Sequence, residues 1–118
     1  MAATKTSKTL YASASLAAAT SVNATEWSMT TCYGGLAAVK LTNGATAPTT
    51  APTVTFYVGE STGTKRTFFT ATGDTVNNSV KHFVVEIPPS AMFCNITILN
   101  GATNAITVEA YGQELTTI

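Results

Sequence analysis

Apolar and polar residues alternate at period two through almost every segment of this chain, and turn chemistry closes each alternating segment. Val54, Phe56 and Val58 share one face of residues 53–58, while Thr53, Thr55 and Tyr57 take the other. Phe83, Val85 and Ile87 repeat the pattern, as do Ile106, Val108 and Ala110, and then Met92, Cys94, Ile96 and Ile98. Near the N-terminus Leu10, Ala12, Ala14 and Leu16 fall on one face. A strand sends successive side chains to opposite faces, so this pattern builds half-buried strands, and the β-branched and aromatic residues within it favour them further. Asn43-Gly44 and Asn100-Gly101 are dipeptides that accept positive φ in tight turns, and Pro88-Pro89 cannot continue a ladder. Residues 45–52, with two prolines and no large side chain, read as an exposed loop. About eight strands follow, roughly 6–17, 25–32, 35–42, 53–59, 64–71, 80–87, 91–99 and 104–112. This spacing predicts an all-β fold: a single antiparallel β-sandwich, with the jelly roll one arrangement open to it. Strand order does not follow from the pattern.

The 118 residues fit one domain over 1–118, with residues 1–5 expected as a flexible N-terminal arm. Only 10% of them are charged, six Lys+Arg against six Asp+Glu, and threonine supplies about a fifth of the chain. A surface with so little charge, and none net, repels its neighbours weakly and favours association. Phosphate binding needs clustered cations, and only Lys65-Arg66 are adjacent, so no nucleic-acid partner is expected. No apolar run approaches the roughly 18 residues of a membrane span, and no membrane partner is expected. Lys5 and Lys8 ahead of Leu10–Ala19 superficially resemble a signal peptide, but the alternation there favours a strand.

Acid–base chemistry has little to work with. His82 is the sole histidine and lies on the polar face of its segment, with no G-x-S-x-G element to complete a triad. Cys32 and Cys94 show no metal-ligand spacing; they read as small buried hydrophobes, and a disulfide between them stays open. The carboxylates are scattered singly, and Glu86 and Glu109 could approach each other only on neighbouring strands. Gly59 to Lys65 lacks phosphate-loop spacing and reads as a hairpin loop. No catalytic residue, metal site or cofactor is expected.

The aromatic residues divide into two groups. Trp27, Phe56, Phe68, Phe69, Phe83 and Phe93 are candidate core anchors. By alternation Tyr11, Tyr57 and Tyr111 point away from the apolar faces of their strands. Outward tyrosines on a charge-poor surface suit a protein interface; stacking on sugar rings and covering a sheet edge are their other uses. With Lys5 and Lys8 of the N-terminal segment, they form the candidate protein-interface set.

Several phrases carry a family resemblance: Lys8-Thr9-Leu10-Tyr11-Ala12-Ser13-Ala14, then Tyr33-Gly34-Gly35-Leu36 leading to Thr42-Asn43-Gly44-Ala45. Val85-Glu86-Ile87-Pro88-Pro89-Ser90-Ala91-Met92, and Ile106 to Ala110 followed by Gln113-Glu114-Leu115, extend it over most of the chain. This text resembles the small, Thr/Ala-rich virion structural proteins of tailed bacteriophages. The resemblance implies a non-enzymatic virion protein assembled in the host cytoplasm, with no cofactor and no active-site residues. Within that class it implies a capsid decoration (cement) protein, a small homo-oligomer bound to the major capsid protein or other virion proteins. A tail or head-fibre component is the nearest competitor, and a carbohydrate-binding module using Tyr57 or Tyr111 is a third reading.

Overall fold

The alternating segments form nine strands among the described residues of the computed structural model, which are 4–60 and 65–117. They are β1 (Thr4–Leu16), β2 (Ser21–Asn23), β3 (Trp27–Ser28), β4 (Gly35–Asn43) and β5 (Thr53–Gly59), then β6 (Arg66–Thr72), β7 (Val80–Ile87), β8 (Phe93–Leu99) and β9 (Ile106–Thr117). No helix occurs among the described residues. One sheet runs β1-β9-β4-β7; the other runs β2-β8-β5-β6, with β3 also paired to β8, and all pairings are antiparallel. If β2 and β3 count as one interrupted strand, eight strands divide four and four between two facing sheets, with only β5 and β6 consecutive in one sheet, which is the jelly-roll arrangement of the β-sandwich.

Four expectations are corrected. The strand expected over 25–32 is instead β2 and β3, and residues after Ser28 turn away, with Cys32 N–H reaching back to Met29 O. Positive φ falls at Gly34, Ala19, Asn78 and Asn104 rather than at Gly44 or Gly101. Asn43 and Asn100 act through their side chains: both are buried, and each amide nitrogen donates three hydrogen bonds to neighbouring loops. The 45–52 loop is not simply exposed. Ala47, Pro48 and Pro52 are buried, and Asn77 Oδ1 and Asn104 Nδ2 hold Ala47 by its N–H and its carbonyl. Of the five residues expected as an arm, Thr4 and Lys5 belong to β1, paired with Thr117 and Leu115, and 1–3 lie outside the described residues.

The core lies between the sheets. Val39, Leu41, Ile106, Val108 and Ala110 of one sheet meet Val54, Phe56, Ile96 and Ile98 of the other, all nearly without solvent exposure. Trp27, Phe56 and Phe93 are fully buried, as anchors should be, and Phe83 is half-buried. Phe68 and Phe69 are not core residues. They remain 42% and 47% exposed because β6 is the last strand of its sheet and has a neighbour on one side only.

Candidate protein-binding face

The outer face of the β1-β9-β4-β7 sheet is set by register. Ser7, Gln113, Leu36 and Glu86 form one cross-strand row, Thr9, Tyr111, Ala38 and Val84 the next, and Glu109, Lys40 and His82 a third. Opposed residues in an antiparallel pair share a face, so Tyr111, Ala38 and Val84 lie side by side with Leu36 one row away. Leu36, Val84 and Tyr111 are 43%, 62% and 40% exposed. Three shallow depressions of 360, 430 and 300 Å³ overlap along this face, sharing Leu36, Gln113, Ala38, Val84 and Tyr111. Together they make one open trough, floored by small and apolar side chains and ending at Tyr33 and Lys5.

Charge sits toward the trough's margins. Lys40 approaches Glu109 at 3.9 Å, and Tyr111 Oη donates to Glu109 Oε2 at 3.1 Å. That bond to a carboxylate raises the phenol above its ordinary value. The tyrosine ring is therefore fixed at a sheet position with its hydroxyl already directed, which lowers the entropy lost when a partner covers it.

The sequence-predicted interface residues do not share one surface. Tyr111, Lys5 and Lys8 line the trough. Tyr57 lies on the opposite sheet, half-buried, with Lys65 Nζ 5.5 Å from its ring centre. Register shifts on either side of Tyr11 break the alternation of β1 and pair Tyr11 with inward Ala110, so Tyr11 packs against the core instead of pointing outward. Lys8 pairs with inward Gly112, and its ammonium contacts Glu114 at 3.2 Å. The residues missed were Leu36, Ala38 and Val84. Their signal was present: in β4 and β7 the outward positions of the alternation are themselves apolar.

The other candidate groups do not assemble a reaction centre. His82 lies opposite Lys40, and β4 separates Glu86 from Glu109, which pair with Leu36 and Lys40 respectively. Cys32 and Cys94 are both free thiols. Burial pushes Cys94 up to about 12 and also raises Cys32, whose Sγ lies 3.7 Å from Met29 O. Among the described residues no group of three or more His, Cys, Asp or Glu could hold a metal ion. The Gly59–Lys65 segment joins the antiparallel pair β5 and β6, as a hairpin loop does; its tip, 61–64, lies outside the described residues.

No protein-family model and no curated protein sequence matches the chain. Solved structures match its fold. A chain of the Bacillus endospore appendages, which form disulfide-linked pili, gives a TM-score of 0.59 at 20% identity, covering 100% of this chain and 93% of that one. The SPBc2 prophage-derived protein YomS gives 0.51 at 16% identity, covering 96% of each chain. A chain of the T13 particle of infectious bursal disease virus gives 0.61 at 9% identity, covering 97% of this chain and 31% of its own. At these identities the likeness is one of fold.

Proposed function

We propose that this chain is a non-enzymatic virion structural protein, a capsid decoration protein that lays the β1-β9-β4-β7 trough onto the assembled phage head. The carrying observation is the contiguous outward set Leu36, Ala38, Val84 and Tyr111 on a sheet face whose charges stand at its margin. Apolar residues in outward strand positions are a cost to a solitary domain and an asset to one that is covered. Binding only the assembled lattice stabilises the shell by mass action, because disassembled subunits offer no equivalent site. Likeness to a chain of an icosahedral particle and to a prophage-derived protein supports this reading.

The test compares particles assembled with and without the protein under heat and osmotic challenge. Survival is expected to rise with the protein, and Leu36→Lys/Val84→Lys should weaken capsid binding at least tenfold, or about 1.4 kcal/mol. Equal survival would sink the decoration reading. A tail or fibre component is the second reading, and the full-length likeness to a pilus chain favours it. Recovery of the protein with purified tails instead of heads would decide for it.

A further inference from the structure

The two long sides of the sandwich are finished differently. On one side Thr25 N–H donates to Leu10 O at 2.9 Å, so the segment joining β2 to β3 covers the edge of β1. On the other side β6 and β7 are each the last strand of their sheet, and among the described residues no strand pairs with their outer ladder edges. A groove of about 310 Å³ separates them, lined by Phe68 and Phe69 of β6 and by Val84, Val85 and Glu86 of β7. Exposed edges are ordinarily blunted by proline or by central charges. Here neither strand contains proline, charge is confined to Arg66, Lys81 and Glu86 near the ends, and the one irregularity is the β6 bulge at Phe68.

We propose that a second copy of this chain docks here edge to edge, with β7 of each copy pairing antiparallel to β6 of the other. The 73–79 loop joins the end of β6 directly to the start of β7, so the two strands run in opposite senses. A two-fold axis parallel to the strands then closes both outer edges at once and carries each inner sheet face into the partner's inner face. Matching inner with inner sets Phe69 opposite Phe83 of the second copy, because Phe69 pairs with inward Phe56 and Phe83 with inward Val39. In that register Thr70 meets His82, Ala71 meets Lys81, and the bulged Phe68 lies near Val84. Beyond the bulge Arg66, which pairs with inward Val58, comes against inward Val85, and no like charges oppose each other. The occupant is thus complementary in sheet face, strand direction, length and apolarity.

This interface is separate from the trough, so a monomer that still protected particles would overturn it and leave the proposed function standing. Sedimentation over a concentration series is expected to show a dimer of the full chain. The Phe68→Lys/Thr70→Lys variant should sediment as a monomer with unchanged Trp27 emission. In a Cys32→Ser background, oxidising a mixture of Thr70→Cys and His82→Cys proteins should cross-link the two, while neither cross-links alone. Monomer at every concentration, or cross-linking of Thr70→Cys with itself, would overturn the proposal.

Discussion

Trp27 is the best case of one side chain deciding what its neighbours can be. Its indole Nε1 donates to Glu114 Oε1 at 2.7 Å, and Lys8 Nζ reaches the same oxygen at 3.2 Å. A Cβ on Gly112 would come within 2.9 Å of the ring, so glycine lets the indole lie flat on β9. Glu114→Leu should lower stability by about 1–3 kcal/mol in urea unfolding, because the buried indole N–H loses its acceptor. Glu114→Gln keeps an acceptor and should cost less. Gly112→Ala should cost about 1–3 kcal/mol through overpacking. Cys94 is expected to resist alkylation in the native state and to react only on unfolding, while the partly buried Cys32 should react more slowly than an exposed thiol, since burial raises each away from its thiolate. The sequence marked Trp27 as an anchor but not its partner. The alternation 106, 108, 110 runs on through Gly112 to Glu114, and ending the strand at 112 hid an inward carboxylate that only the indole and Lys8 make tolerable.

Whole strands were legible wherever one face is buried along their full length, as in β4, β5 and β8, while β9 was read only as far as residue 112. Legibility failed where a neighbour was missing or the register slipped. Period two assigns faces without saying whether a second sheet covers them, so Phe68 and Phe69 read as core though β6 ends its sheet. A bulge leaves no mark in the alternation, and that is why Tyr11 was turned the wrong way. The candidate face was half legible: Tyr111 was singled out, while Leu36 and Val84 looked like ordinary strand text until register set them together. The loops between elements depend on amide side chains. Asn100→Ala should cost about 1–3 kcal/mol by unfolding, since three carbonyls lose a donor and the Gly101 N–H loses an acceptor. Between β6 and β7 the Ser79 hydroxyl bond, helped by Val76 N–H, Lys81 and Asn43, holds the Asp74 carboxyl below its ordinary value. A depressed folded pKa contributes stability above the unfolded value, and this is lost as pH falls through the folded one. Acid unfolding below the ordinary aspartate range should therefore be steeper in the native protein than in Ser79→Ala.

As a whole the molecule is a slab of 48 × 29 × 18 Å, two sheets thick and broad on its faces. A slab of this shape with few charges presents wide, weakly hydrated faces, and the trough occupies one of them. Within that face β9 lies between β1 and β4, although it is synthesised after both. Until β9 emerges from the ribosome, β1 lacks the strand it pairs with, and the rows holding Tyr111 and Gln113 do not exist. Pairing strands so far apart in sequence is slow to nucleate, which lengthens the interval further. Completion of the candidate face is thereby coupled to translation through β9. Under the proposed function, a chain cut short before that strand lacks the face that would meet the shell, so the order of synthesis itself would screen what is incorporated.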